Sequence, residues 1–171
     1  VSPKINSNDV GGIVSESNVK TFKIFKAPNG IENMQGFFRS LLAGNDKIEE
    51  ILMLDNINTS NCTDLSSVFE GCNLKRIDLS GWDTSNAKNL TNMFCGCNSL
   101  KILDLSNWDT SNVTSMRQTF THCNNLITIP NFNTSKVTYM GTTFIGCSNL
   151  RIIPKLNTYN VIYMNSMFES C

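Results

Sequence analysis

Five cysteines at near-constant intervals constrain this chain more than any other feature. Cys72, Cys97, Cys123, Cys147 and Cys171 are separated by 25, 26, 24 and 24 residues. A disulfide framework in a small secreted domain has irregular spacing and an even count of cysteines. This chain has seven, and the five belong to a repeat. Phe69, Phe94, Phe120, Phe144 and Phe168 each stand three residues before a repeat cysteine. Seven residues before each Phe stands a small or branched apolar residue: Cys62, Ala87, Val113, Val137 or Val161. Leu65, Leu90, Met116, Met140 and Met164 fall between them. The offsets 0, 3, 7 and 10 in Val113, Met116, Phe120 and Cys123 describe one face of an amphipathic helix, and they predict a helix in every unit.

Before each of these runs stands Thr59-Ser60, Thr84-Ser85, Thr110-Ser111, Thr134-Ser135 or Thr158-Tyr159. A hydroxyl there suits a helix N-cap, which outweighs an ice-binding reading of the threonine column because only one Thr recurs per unit. After each cysteine the period changes. In Leu74–Leu79 and Leu100–Leu105 the last apolar residues alternate, as on a strand. Each unit thus reads as a short strand, a turn through Trp-Asp-Thr-Ser-Asn and a returning helix. Units four and five lose two residues and carry Pro130 and Pro154, which cannot donate to a sheet ladder, so strand pairing is expected to weaken there.

One such unit cannot bury its apolar stripe alone, whereas stacked units share a core. The expected fold class is α/β: a leucine-rich-repeat-like solenoid with a short parallel β-strand and a helix per coil. Residues 1–16 are expected to form an extended or loosely ordered arm. Residues 17–47 form a degenerate capping repeat, in which Ile31, Met34, Phe38 and Leu41 repeat the 0, 3, 7, 10 offsets and Phe22, Ile24 and Phe25 supply the strand. An insertion around 44–46 separates it from five repeats at 48–72, 73–97, 98–123, 124–147 and 148–171. The absence of a polar closing unit after Cys171 points to a fragment of a longer array.

Formal net charge is zero and no run of like charges occurs, so neither nucleic acid nor an anionic membrane surface is an expected partner. No apolar stretch approaches the ~20 residues that span a bilayer. Catalysis finds no foothold. The single histidine, His122, has no Ser or Asp motif around it, and no glycine-rich phosphate loop occurs. Asp78 and Asp104 are one rung apart, but solvated strand residues are the plainer account of them.

Cys95, Cys97, His122 and Cys123 fall together in adjacent units and include zinc-ligand types. Two of them belong to the repeat column, whose other members have no such company, so buried neutral thiols are expected and neither metal nor cofactor. Cys95 is expected to be the most exposed thiol. Trp82 and Trp108 take the inward turn position that Phe132 and Leu156 fill later. The Asn-x-Ser/Thr triplets at Asn58, Asn61, Asn89, Asn112 and Asn133 arise from the repeat composition.

The run Leu-x-x-Leu-Asp-Leu-Ser-x-Trp-Asp-Thr-Ser-Asn-Val-Thr-x-Met-x-x-x-Phe-x-x-Cys-x-x-Leu at 100–126 resembles the repeat of BspA-like leucine-rich-repeat surface proteins of host-associated bacteria and some parasitic protists. The resemblance spans 48–171 and is best over 73–123. Lys136 and Tyr159 depart from its Thr-Ser-Asn position. It implies a cell-surface or secreted, adhesin-like module without catalysis, whose partner is a protein or glycan on a host or neighbouring cell. The alternative role is a structural spacer or stalk that holds another domain away from the surface. Ligand contact is expected at the outward strand positions: Lys75, Arg76, Asp78, Ser80, Lys101, Ile102, Asp104, Ser106, Thr128 and Ile152.

Overall fold

The computed structural model describes residues 11–12, 21–27, 30–43 and 47–171. Apart from 11–12, the expected arm over 1–16 lies outside the described residues, as does the insertion around 44–46. The chain is mixed α/β, with a small parallel sheet and little helix. Strands β2 (Thr21–Lys26), β3 (Glu50–Leu52), β4 (Arg76–Asp78) and β5 (Ile102–Asp104) pair in parallel in chain order, and β1 (Gly11–Gly12) adds to β2 in antiparallel fashion. In register, Arg76 faces Ile102, Ile77 faces Leu103 and Asp78 faces Asp104. Beyond β5 the sheet lapses, and only the single bridge Thr128–Ile152 remains where Pro130 and Pro154 follow. A ring without an N–H at that point removes a ladder bond from each coil.

The expected column of phenylalanines is present. Rings Phe38, Phe69, Phe94, Phe120, Phe144 and Phe168 stack successively, with centroids 4.9, 5.7, 5.5, 5.7 and 5.4 Å apart. The five from Phe38 to Phe144 are fully buried. At about 25 cal/mol per Å2 of apolar surface, a column of buried rings contributes strongly to the stability of the core. Phe22, Ile24, Ile31 and Met34 extend the core under the first coils. Trp82 is buried and Trp108 partly so, their indole N–H groups donating to Leu54 O and Leu79 O of the preceding coil.

The helix expected in each of the five coils is not formed. Among the described residues the one α-helix is α1 (Phe37–Leu41), in the unit that precedes them. In coil two, the N–H groups of Leu90, Asn92, Phe94 and Gly96 donate to the carbonyls of Ser115, Arg117, Thr119 and Thr121 in the next coil. The intervening residues Met93, Cys95 and Cys97 close tight turns onto Leu90, Asn92 and Phe94. Half of the donors thus leave the segment, which an α-helix cannot do. Two residues per run are left-handed: Ser67 and Gly71, Asn92 and Gly96, Gln118 and His122, Thr142 and Gly146, Ser166 and Ser170. Left-handed residues interrupt helix propagation, and the glycines occupy them without a Cβ penalty. The result is a winding chain of turns, hydrogen-bonded rung to rung.

The threonine column is likewise not a set of helix caps. Thr59, Thr84, Thr110 and Thr134 are buried, and each hydroxyl donates to a carbonyl of the next coil: Asp83, Asp109, Asn133 and Asn157. Thr110 and Thr134 also accept the N–H groups of Asn133 and Asn157, both at 2.7 Å. The local capping is performed by the residue before each Thr. Asp83, Asp109, Asn133 and Asn157 accept the N–H two residues on, from Ser85, Ser111, Ser135 and Tyr159. An Asx turn of this kind is what short polar side chains favour when a helix does not follow.

Candidate functional site

The alternation of β4 sets the outward strand face. Ile77 and Leu79 point into the core, while Arg76 and Asp78 point outward. Of the expected contact residues, Lys75, Arg76, Asp78, Lys101, Ile102, Ser106, Thr128 and Ile152 are exposed, and Ser80 and Asp104 are half-buried. The parallel register brings Arg76 beside Ile102, Asp78 beside Asp104 and Glu50 beside Arg76. Thr128 and Ile152 form a second pair further along the stack.

These side chains are tied to one another. Lys75 Nζ lies 2.9 Å from Glu49 Oε2, and Arg76 Nη2 lies 3.5 Å from Asp78 Oδ2. Asp78 accepts the hydroxyl of Ser80 at 2.7 Å and its N–H at 3.1 Å. Those two bonds, and then the guanidinium of Arg76, hold its carboxyl below the usual aspartate range. The charge is therefore kept, and the Ser80 bonds fix its direction.

Arg76, Asp78 and Ser80 line a cleft of about 520 Å3 at the corner where β3 leaves the sheet, together with Glu50, Met53 and Asp55. The corner is made by Met53, left-handed at φ 62° and 46% exposed, which turns the chain into the 3-10 segment Leu54–Asn56. Coil two closes against it because Gly81 has no side chain. A β-carbon there would stand 2.9 Å from Asp55 Cβ. Three acidic residues, Glu50, Asp55 and Asp78, thus line with Arg76 one cleft that is open to solvent.

The cysteine column has no such opening. Cys97, Cys123 and Cys147 are buried, and their thiols donate to the carbonyls of Phe69, Phe94 and Phe120 one coil back, at 3.0, 3.1 and 3.0 Å. Cys62 and Cys171 make the same bond to Ile31 and Phe144. All seven thiols are free. Burial pushes Cys62, Cys72 and Cys147 up to about 12, and Cys97 and Cys123 well above the ordinary thiol value. Neutral thiols pointed at carbonyls serve as interior donors and are poor nucleophiles. The most exposed thiol is Cys171, while the one expected to be so, Cys95, is half-buried.

Sequence reasoning missed a second cleft, on the turn-run side. It measures about 360 Å3 and lies beside Tyr139 and Tyr163, two exposed rings stacked 4.8 Å apart. The signal was available, since the two tyrosines occupy the place of Asp64, Asn89 and Ser115 in earlier coils.

Among the described residues, no helix is long and apolar enough to cross a membrane. A family model described as "Mycoplasma protein of unknown function, DUF285" matches residues 32–148 and again 115–171. Two matches overlapping at 115–148 are what a repeat produces, since one model fits the coils in more than one frame. No curated protein and no solved structure matches the chain.

Proposed function

As the chain belongs to the family of Mycoplasma proteins of unknown function, DUF285, we propose that it is a surface-exposed or secreted binding module with a leucine-rich-repeat-like solenoid plan of the BspA-like kind. Its partner is a protein on a host or neighbouring cell, held on the outward strand face. One observation carries this reading: the cleft of about 520 Å3 brings Arg76, Asp78 and Ser80 together with Glu50 and Asp55 of the preceding coil. Asp78, fixed in direction by Ser80, favours a basic side chain of a partner and loses little entropy on binding. The outer row of Arg76, Ile102, Thr128 and Ile152 extends that contact along the stack. Residues 17–47 act as its terminal cap, with Phe38 lying on Phe69 and Arg39 reaching Glu70 at 2.9 Å.

Binding to a panel of extracellular-matrix proteins and intact cells tests this, with Arg76→Ala, Asp55→Asn and Asp78→Asn as probes. The expected result is a partner whose affinity falls at least tenfold in Asp78→Asn. Binding that is indifferent to all three substitutions overturns the strand-face assignment.

The second reading, a spacer, is favoured by the unbroken Phe column and the backbone bonds that join each coil to the next. Deleting residues 98–123 as a whole coil separates the two. A spacer loses function in proportion to length, whereas a binding surface loses it at one step.

A further inference from the structure

We propose that the cleft beside Tyr139 and Tyr163 is a carbohydrate-binding site that takes the terminal sugar rings of an oligosaccharide. Position by position, the turn runs of coils three to five read Ser115-Met116-Arg117-Gln118, Tyr139-Met140-Gly141-Thr142 and Tyr163-Met164-Asn165-Ser166. Bridges Ser115–Tyr139 and Tyr139–Tyr163 set the first residues of each run side by side. The first two coils carry Asp64 and Asn89 there, and the surface turns aromatic only at the last two.

Three features select sugar. The rings are 44% and 51% exposed, although large aromatics elsewhere in the coils are mostly inside. Tyr139 stands beside the small Ser115 on one flank, so its face toward coil three has no other ring against it among the described residues. A ring face with no other ring against it can receive the C–H face of a pyranose, and the phenol at its edge can bond a hydroxyl. Next to the rings, Gly141 takes the place held by Arg117 before it and Asn165 after it. Its φ lies outside the left-handed region, so the backbone does not require glycine. The missing side chain lets the amide of Asn165 close in on the rung before it, its Oδ1 2.7 Å from where a β-carbon would be. Finally, the side chains of Arg117, Gln118 and Asn165 line the cleft with hydrogen-bonding capacity that no described residue uses. A guanidinium and two amides beside an aromatic wall match the vicinal hydroxyls of a sugar.

Other occupants fit less well. A proline-rich peptide needs a slot between aromatic ridges, and these two rings are closed on each other at 4.8 Å and 13°. A single-stranded nucleic acid needs a basic groove, and Arg117 is the one cation lining the cleft. The site stands on a different face from the Arg76 cleft and does not depend on it.

The test is an array of immobilised oligosaccharides with neutral hexose, N-acetylhexosamine and sialic acid termini, its positives measured by titration calorimetry. Tyr139→Asn with Tyr163→Asn restores the residue type of Asn89 and so keeps the turn. This pair is expected to lower affinity for the bound oligosaccharide at least tenfold. Gly141→Ala, which sets a methyl against the Asn165 amide, lowers it several-fold, and Arg76→Ala leaves it unchanged. The proposal is overturned if no oligosaccharide binds, if binding survives the double tyrosine variant while circular dichroism shows it folded, or if a proline-rich peptide alone binds the cleft.

Discussion

The imidazole of His122 lies over Gly146 of the next coil, so that a β-carbon at residue 146 would collide with Nδ1. Both residues are left-handed, at φ 58° and 72°, and His122 occupies the column in which Gly71, Gly96, Gly146 and Ser170 also stand. Gly146→Ala therefore combines a left-handed alanine, about 1–2 kcal/mol, with a steric collision. In a His122→Gly background only the first remains. Denaturant titration of the four proteins in the cycle is expected to show a coupling of about 1 kcal/mol or more. Strict additivity would mean that the ring moves aside freely.

Phe120 lies between Phe94 at 5.5 Å and Phe144 at 5.7 Å with no exposure, whereas Phe168 is 45% exposed. Phe120→Ala is expected to destabilise the fold by about 3–5 kcal/mol, and Phe168→Ala by clearly less. Equal shifts in the urea midpoint would contradict a column whose last ring is only half covered.

Thr110 exchanges two bonds with Asn133 through one hydroxyl, at 2.7 and 3.2 Å. Thr110→Val keeps the shape and leaves both backbone groups of Asn133 without that partner. A loss of about 1–3 kcal/mol is expected from thermal unfolding. A helix cap of the kind first expected at this Thr would have bonded forward within its own coil, and Asn133 would not feel the change.

The thiols predict a response to alkali. Folding raises Cys62, Cys72 and Cys147 from 9.0 to about 12. In the unfolded chain these groups ionise first, so their contribution is complete below pH 9 and declines as pH rises from 9 towards 12. The melting temperature should fall over that window, and Cys147→Ala should flatten the fall. In the native state a maleimide reagent should label Cys171 first, Cys95 more slowly and the buried column only after denaturant. Rapid labelling of Cys97 at pH 7.5 would show that its bond to Phe69 O is not held.

The repeat, the phenylalanine column, the strand register and the inward tryptophans were legible because side-chain spacing reports which residues share an interior. Backbone path in the turn runs was not legible from that spacing. Ala87, Leu90, Phe94 and Cys97 share one face on a helix and equally on a chain of turns wound at the same pace. The distinguishing signs lay in residue type. Glycine before Cys72, Cys97 and Cys147, and Ser67, Asn92, Thr142 or Ser166 four places earlier, mark left-handed positions that a helix would not take. The outward placement of Arg76 and Asp78 was legible, since alternation tells outside from inside. The cleft they line was not, because Asp55 joins it only after the left-handed turn at Met53. The tyrosine pair escaped notice because each residue looks ordinary until the bridge at 139 and 163 places one ring on the other.

Because alternate N–H groups of the first four turn runs cross to the neighbouring coil, the joints between coils carry mechanical load unevenly. A pull along the direction of stacking strains a whole rung of backbone bonds together and meets high resistance. A pull on one end of the polypeptide instead peels those bonds in succession. It would release one coil at a time, each lengthening the chain by about 80–90 Å at ~3.3–3.6 Å per residue. Such a molecule would be stiff when pushed or gripped from the side and would yield stepwise when drawn out by its terminus.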